Sequence, residues 1–360
     1  MTTKENPAGG TKARRYHTLD GMRGVAAIIV LLAHALRNTP NETSIRAALA
    51  VTMFFLLSGF VLGKAYDERL KAGMSLGQFT LARLIRLYPL WLLSLAIAVV
   101  GTSVTLLLGH GKMNLPQFVA SAISALFFLP TPMPYDVGET MPLNPPGWSL
   151  FFELVANFIF GAFHARLTNR NLVILIVGCL MLLLIGNGFG GAHYWDFVWG
   201  FPSVGFSFFL GVLLQRFHRS PPITTRWAWL FPLALIPAMV GDFLQIEGQD
   251  FILMAVVLPA LVYFAASFEL PHPGPFELLG SSSYPIYVMH VPIFIWIIRL
   301  QSYRTGSTEI SVAVALAFCA SMFAIGVALD RLYDLPIRRY LTYRSSSSGK
   351  AQRSSISRAP

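Results

Sequence analysis

The chain has 360 residues, of which 54% are hydrophobic and only 12% charged, with a formal net charge of +10 at pH 7. Its mean hydropathy is +0.58. A soluble domain of this length carries fewer apolar residues, so the composition excludes an ordinary soluble protein and predicts an all-α, polytopic membrane protein. The basic residues fall mainly in loops and tails on one side of the predicted membrane, so the net charge does not predict nucleic-acid binding.

Ten apolar stretches are long enough to cross a bilayer. A further stretch, FVASAISALFFL at 118–129, has only 12 residues and ends in a proline-rich run, so its length does not decide whether it spans. The ten predicted transmembrane helices lie near residues 21–37, 47–65, 88–108, 147–165, 172–189, 197–215, 227–246, 251–268, 281–298 and 310–330.

The distribution of Lys and Arg predicts the topology. With the N-terminus inside, ten spans place 22 of the 27 Lys and Arg residues on the cytoplasmic side. Counting 118–129 as a span leaves 12 inside and 15 outside, against the positive-inside rule. We therefore expect 118–129 to be an interfacial or re-entrant part of a long external loop, and both termini to be cytoplasmic. Residues 1–344 are expected to form one transmembrane domain, and 345–360 a basic, disordered cytoplasmic tail.

The first predicted span, TLDGMRGVAAIIVLLAHALRN at 18–38, contains a histidine. Arg23 and His34 are 11 residues apart, which in an α-helix is about 16 Å of rise and places both on one face. Ionisable side chains inside a membrane usually face a cavity, so His34 is a candidate catalytic residue; the alternative is a hydrogen bond between packed helices. Asp20 lies three residues before Arg23, the spacing of a structural ion pair on a helix.

Three further polar side chains are predicted at a similar depth. In WSLFFELVANF, Glu153 lies five residues after Trp148 on a helix entering from outside, and in SSSYPIYVMHVP, His290 lies nine residues past Ser281 on a helix leaving the cytoplasm. Ser58 in FFLLSGF is predicted about 16 Å below the outer surface. Glu153 and His290 are candidate catalytic residues, and Ser58 and Trp148 candidate positioning residues. The structural alternatives are an interfacial ion pair for Glu153 and helix packing through small residues for Ser58.

Two arginines precede the third predicted span, in SLGQFTLARLIRLYPLWLL. Arg83 and Arg86 are three residues apart, so on a helix both guanidinium groups can face the same anion. This geometry suits phosphate groups, and both residues are candidates for binding a phosphate-bearing cofactor or donor. The alternative is the ordinary excess of basic residues at a cytoplasmic membrane surface.

Five motifs, in this order along the chain, resemble the acyltransferase 3 family of integral membrane proteins. They are LDGMRG followed by His34, FFLLSGF, RLIRLYP, WSLFFE and SYPIYVMHVP, and the resemblance covers about residues 16–340. It implies an enzyme that transfers an acyl group, commonly acetyl, from cytoplasmic acyl-CoA to a hydroxyl group, often of an extracytoplasmic sugar. It also implies that Arg23 and His34 are the family's pair in helix one, and Arg83 and Arg86 its donor-side arginines.

The predicted depths and the resemblance lead to one mechanistic hypothesis. The CoA phosphates bind Arg83 and Arg86, and His34 removes the proton of the acceptor hydroxyl while Glu153 orients the imidazole. His290 is an alternative base or an oxyanion donor, and a covalent acyl-histidine stays open. No metal and no permanently bound cofactor are expected. The expected partners are acyl-CoA, a carbohydrate or glycosylated acceptor and the lipid bilayer, and the expected location is the cell membrane, the inner membrane of a bacterium.

Two other classes of function are compatible with the sequence. A transporter or flippase for a sugar-linked or anionic lipid would use His34 and Glu153 as a proton relay and the arginines as headgroup ligands, without CoA. A sensory or scaffold membrane protein would need neither paired arginines nor buried histidines. The sequence leaves the acceptor, the acyl chain length and the oligomeric state undetermined.

Overall fold

The computed structural model is mostly helical and describes residues 15–40, 45–109, 113–132, 138–186, 188, 190–241 and 248–356, with side chains as far as residue 345. Two short strands, β1 (Ile223–Thr224) and β2 (Phe268–Glu269), pair in parallel. The helices in chain order are α1 (His17–Leu36), α2 (Ala47–Lys71), α3 (Leu76–Leu107), α4 (Leu115–Leu126), α5 (Gly147–Phe163), α6 (Asn169–Gly186), α7 (Gly200–Phe217), α8 (Leu230–Met239), α9 (Gln249–Ile252), α10 (Leu258–Ala265), α11 (Gly274–Thr305), α12 (Val312–Leu329) and α13 (Leu335–Ile356).

Seven helices in the described part of the chain are long and apolar enough to cross a membrane. They coincide with seven of the ten predicted spans and define a multi-pass membrane bundle. The other three predicted spans, 147–165, 227–246 and 251–268, fall on shorter apolar helices: α5, α8 and the pair α9–α10. A total of ten spans and the cytoplasmic position of both termini therefore stay predictions.

Helix α4 occupies most of the stretch at 118–129. It has 12 residues, a length of about 18 Å, which is too short to cross a hydrocarbon core of about 30 Å. Asn114 and Gln117 form a capping box at its start, and the main-chain carbonyls of Ala125 and Leu126 at its end accept hydrogen bonds from Trp91 and Tyr88 of α3. These two hydrogen bonds hold α4 against α3, so its position does not depend on crossing the membrane.

The start of α3 fixes the position of the two candidate arginines. Ser75 Oγ accepts from the backbone N–H of Gln78 at 3.2 Å, and Gln78 Oε1 accepts from the backbone N–H of Ser75 at 3.2 Å. This capping box begins the helix at Leu76. Arg83 and Arg86 consequently lie in the second and third turns of a continuous helix, where their side chains share one side.

The most extensive helix packing joins α2 to α7 and α1 to α11. On α2, a Cβ atom added at Gly59 would overlap the backbone of Phe208, and on α7 one added at Gly211 would overlap the backbone of Leu56. Reciprocal contact through small residues lets the two backbones approach, as in other membrane helix pairs. Helix packing through small residues, the structural alternative predicted for FFLLSGF, is therefore found at Gly59.

We expect Gly59→Ala to lower the melting temperature of the detergent-purified protein, because its methyl group must push α2 and α7 apart. Overpacking of this kind costs about 1–3 kcal/mol. Gly178→Ala on α6 is the matched control, since a Cβ atom there meets nothing within 4 Å. Equal melting temperatures of the two variants would contradict the close α2–α7 contact.

The outer helices expose large apolar side chains. Ile174, Leu184 and Leu316 on α6 and α12 are each half or more exposed. Such surfaces are unusual in water and ordinary against lipid chains. The fold therefore carries its lipid-facing side chains on α6 and α12, while α1, α2, α7 and α11 form its interior.

The C-terminal helix α13 continues to Ile356, so the predicted domain boundary at residue 344 falls within it. Side chains beyond residue 345 and residues 357–360 lie outside the described part. The disordered tail at 345–360 stays a prediction, and the basic residues among positions 1–14 also lie outside the described residues.

Candidate active site

A cavity of about 160 Å³ lies among α1, α2, α3, α5 and α11. Its walls combine apolar side chains with charged groups and hydroxyls. Five predicted site residues line it, namely Arg23, Ser58, Arg83, Arg86 and Glu153. The rest of the lining consists of Phe54, Phe55, Val61, Leu62, Leu87, Ser149, Leu150, Ser283, Tyr284 and Tyr287. We call this space the arginine cavity.

Glu153 connects three helices at the wall of the arginine cavity. Ser58 Oγ donates to Oε1 of Glu153 at 2.7 Å, and Arg83 Nη2 donates to the same oxygen at 3.1 Å. The side chains of Arg83 and Glu153 are only 14% and 17% exposed, so each charge depends on the other. Nε of Arg83 is buried without a hydrogen-bond partner among the described residues.

Arg86 is held against the arginine cavity by a carboxylate that the sequence patterns did not single out. Its Nη1 atom lies 3.3 Å from Oδ2 of Asp334, and Nη2 of Arg338 lies 2.8 Å from the same oxygen. The Arg86 guanidinium also lies over the ring of Tyr284, 5.1 Å from the centroid. The segment DRLYD at 330–334 could have indicated Asp334 as a partner of a cation, because a carboxylate at the end of an apolar helix is costly unless a cation pairs with it.

Arg23 is the third arginine of the arginine cavity. Its Nη1 atom donates to Oδ1 of Asp20 at 3.2 Å, at the predicted three-residue spacing. Asp20 and Asp334 bind the arginines but do not line the cavity. Within the lining, three guanidinium groups face the single carboxylate of Glu153. The cavity is therefore electropositive and suits an anionic ligand such as a phosphate group.

His34 and His290 form a pair next to the arginine cavity. Nε2 of His290 lies 3.4 Å from Nδ1 of His34, and the ring centroids are 4.9 Å apart. Each Nδ1 atom also contacts a main-chain carbonyl one turn earlier, that of Val30 at 2.9 Å and that of Ile286 at 3.0 Å. Because a carbonyl accepts and cannot donate, both Nδ1 atoms carry a proton in this arrangement.

The two histidines consequently differ in whether a ring nitrogen is free to accept a proton. Nε2 of His290 accepts towards the Nδ1–H of His34, and His290 is fully buried. His34 is partly exposed, and within the described residues no hydrogen bond reaches its Nε2 atom. Of the pair, His34 is the member with a lone pair free to take a proton.

Tyr287 connects the histidine pair to the arginine cavity. Its side chain lines the cavity, its hydroxyl is hydrogen-bonded to Ser149 Oγ at 2.7 Å, and its ring centroid lies 6.2 Å from that of His290. His34 lies about 16 Å beyond Arg23 along α1. The site is thus elongated, with guanidinium groups at one end and imidazoles at the other.

The structure brings together some of the predicted residues and separates others. Glu153 is bound by Ser58 and Arg83, whereas the hydrogen bonds of His34 in the described structure go to Val30 and His290. The carboxylate expected to orient His34 thus lies with the arginines, because residue spacing gives depth and does not show which helices are neighbours. Trp148 packs edge-on against Phe55 and Phe152, outside the arginine cavity.

Asn144 is a buried polar residue of the site region that sequence reasoning missed. Pro292 has no N–H group, so the carbonyl of Val288, one turn earlier on α11, loses its helical donor. Nδ2 of Asn144 donates to that carbonyl at 3.1 Å and to Ser94 Oγ at 3.0 Å. The segment before α5 therefore supports α11 beside His290. The MHVP sequence carries the signal, since an internal proline frees a carbonyl that needs another donor.

These features define the class of protein: a polytopic helical membrane protein with an electropositive interior cavity and a paired-histidine centre. The family model described as an acyltransferase domain, that of the acyltransferase 3 family, matches residues 16–331. The chain therefore belongs to the acyltransferase 3 family, which confirms the resemblance seen in the five motifs and indicates membrane acyltransferase activity.

A relative and the solved structures complete the comparison. The chain is 34% identical over 180 residues to "Protein 2 in picA locus" of Rhizobium radiobacter, a match that covers 48% of this chain and 94% of that protein. No solved structure matches the chain. The family assignment thus rests on sequence, and the geometry of the site comes from this chain alone.

Proposed function

We propose that the protein is an O-acyltransferase that moves an acyl group, with acetyl as the simplest case, from cytoplasmic acyl-CoA to a hydroxyl group of an extracytoplasmic carbohydrate. The observation that carries the proposal is the cavity of three arginines joined through Tyr287 to a histidine pair with one free lone pair. The family supports acyl transfer. The CoA donor and the carbohydrate acceptor are what the family resemblance implies; the electropositive cavity supports the donor, and the predicted topology supports an external acceptor.

The arginine cavity is the proposed donor end. Acyl-CoA carries phosphate groups at one end and a thioester at the other, joined by a long flexible arm. Guanidinium forks bind phosphate oxygens in bidentate fashion, and three guanidinium groups line this cavity. The cavity, about 160 Å³, is smaller than the roughly 300–1,000 Å³ typical of complete ligand pockets. We therefore assign it to part of the donor, with the arm extending from the arginines towards His34.

His34 is the proposed general base. The proton of the acceptor hydroxyl passes to Nε2 of His34 while the hydroxyl oxygen forms a bond to the thioester carbonyl carbon. When the intermediate collapses, the C–S bond breaks and the imidazolium returns the proton to the CoA sulfur. The products are the acyl ester and free CoA thiol. His290 is the proposed positioning residue, because its Nε2 atom accepts from Nδ1–H of His34.

The donor assignment is tested by the thermal stability of the detergent-purified protein with and without acetyl-CoA. A ligand that binds only the folded state stabilises it, by about 2.7 kcal/mol at a concentration of about 100 Kd. We expect acetyl-CoA to raise the melting temperature of the wild type and to leave that of the Arg83→Ala, Arg86→Ala double variant unchanged. The double variant has a lower starting stability because Glu153 and Asp334 lose partners, so the shift upon adding ligand is the quantity to compare.

The matched control is the Arg331→Ala, Arg339→Ala double variant, which removes two exposed arginines near the C-terminus. It should respond to acetyl-CoA like the wild type, which separates a specific site from general attraction between the basic protein and an anion. A wild-type protein that no acyl-CoA stabilises would contradict the donor assignment. The same preparation could then be tested for CoA-independent transport of a sugar-linked or anionic lipid.

A further inference from the structure

A second cavity, of about 170 Å³, adjoins the arginine cavity at Phe55, which lines both. The second cavity is formed by the first half of α2, the start of α5, the segment 190–196 and the start of α7. Its lining residues are Ala48, Val51, Thr52, Phe55, Trp148, Gly190, Ala192, His193, Asp196 and Ser203.

The segment 190–196, GGAHYWD, is held firmly against the bundle. Oδ1 of Asp196 accepts from the backbone N–H groups of Gly191 and His193, both at 2.9 Å. Gly191 has a φ of +126° and packs so closely on Trp148 that a Cβ atom there would overlap the indole ring. The wall of the second cavity is therefore a built structure and not a loose loop.

Several polar atoms at this wall have hydrogen-bonding capacity to spare. Nδ1 of His193 lies 3.4 Å from Oδ2 of Asp196, which leaves Nε2 of His193 without a partner among the described residues. The two side chains are 35% and 24% exposed, so a ligand can reach them. The indole N–H of Trp148 also has no acceptor within the described part of the chain. A carboxylate, an imidazole and an indole N–H around an aromatic surface match the alternating hydroxyl and C–H groups of a sugar ring.

We propose that the second cavity binds one sugar unit of the acceptor, with Trp148, His193 and Asp196 as its ligands. This inference rests on the proposed function, and it places the acceptor on the side where α2 begins and α5 enters the bundle. The charge distribution predicts that side to be external. The volume of about 170 Å³ suits a single ring and not a chain.

Neither histidine of the pair lines the second cavity, so we assign to it a sugar unit other than the one that receives the acyl group. Binding energy from a remote part of a substrate can orient the reacting group and raise the rate of the chemical step. The second cavity thus acts as a specificity site: it determines which glycans are acylated, while the arginine cavity and His34 act on the donor and the hydroxyl group.

The test compares ester formation in intact bacterial cells that produce the wild type or a variant and are fed radiolabelled acetate. Hydroxylamine-sensitive label is counted separately in the carbohydrate, lipid and protein fractions, above cells with an empty vector. We expect wild-type label in the carbohydrate fraction, and at least about a tenfold loss, the effect of one or two lost hydrogen bonds, in His193→Ala and Asp196→Asn. Ser203→Phe, which fills the cavity, should give the same loss.

The controls are His272→Ala and Ser321→Phe, which change an exposed histidine and an exposed serine and should label like the wild type. Each cavity variant is also purified and its melting temperature measured with acetyl-CoA; a preserved upward shift shows that it is folded and binds the donor. Unchanged carbohydrate label in folded cavity variants would overturn the proposed sugar site alone. Wild-type label in the lipid or protein fraction would overturn the carbohydrate acceptor of the proposed function, and the sugar site with it. A wild type that no acyl-CoA stabilises would overturn the proposed function, and the sugar site with it.

Discussion

Replacing His34 with alanine is expected to lower the rate of acyl transfer by about 10²- to 10⁴-fold, the usual contribution of a positioned general base. The reason is the availability of its Nε2 lone pair, since Nδ1 is used by Val30 and His290. Binding of acetyl-CoA, measured as a rise in melting temperature, should persist in the variant, because the arginine cavity is untouched.

The matched control for this substitution is His164→Ala. His164 also places its Nδ1 atom near a main-chain carbonyl of its own helix, that of Gly161 at 3.0 Å, but it lies at the end of α5 and lines neither of the two cavities described. It should keep a transfer rate close to that of the wild type. Full transfer by a folded His34→Ala protein would remove His34 from the mechanism and leave His290 as the base.

His290 has a different expected signature, because it acts through His34. His290→Gln keeps an acceptor at a similar distance and should retain more transfer than His290→Ala, with the KM for acetyl-CoA unchanged in both variants. Comparing His290→Gln with His290→Ala distinguishes positioning from packing. If the role of His290 were purely structural, the melting temperature would fall in proportion to the rate.

Replacing Asp67 with alanine is expected to destabilise the protein by about 3–5 kcal/mol, the typical cost of leaving one charge of a buried pair alone. Arg216 Nε and Nη2 donate to the two carboxylate oxygens of Asp67 at 3.2 and 3.0 Å, and the side chains are 14% and 8% exposed. The pair joins the end of α2 to the end of α7. The melting temperature in detergent is the measurement.

The control is the neighbouring Glu68→Ala, because the Glu68 side chain is 86% exposed and exposed substitutions usually change stability by no more than about 0.5 kcal/mol. Combining Asp67→Leu with Arg216→Leu removes both charges and should recover part of the loss, since a buried pair replaced by apolar side chains is often close to neutral. A single Asp67→Ala variant that melts with the wild type would show that the pair does not stabilise this contact.

Local features of the site followed from residue spacing. Asp20 and Arg23 pair at three residues apart, and Arg83 and Arg86 face the same cavity from successive turns of α3. Both depend only on the period of an α-helix, which is the same in any helical protein. The distribution of Lys and Arg predicted that 118–129 does not span, and the helix found there, α4, has only 12 residues.

Contacts between distant residues did not follow from spacing. The partner of Arg86 is Asp334, 248 residues away, and the partner of His34 is His290, 256 residues away. A depth estimate places such groups in the same layer, but neighbours within that layer depend on how ten or more helices pack. Depth alone led to the expectation that Glu153 lies beside His34. In the structure, Glu153 lies with Ser58 and Arg83.

The sequence by itself determined the membrane class, the family, seven of the ten predicted spans and the residue types of the chemistry, because composition, length and helical period are local properties of the chain. Tertiary structure decided which polar groups meet: the arginine cavity, the direction of the hydrogen bonds between the two histidines and the second cavity around Trp148. The physical reason is that these arrangements depend on close backbone approach at Gly59 and Gly211 and on many packing contacts, none of which any single segment encodes.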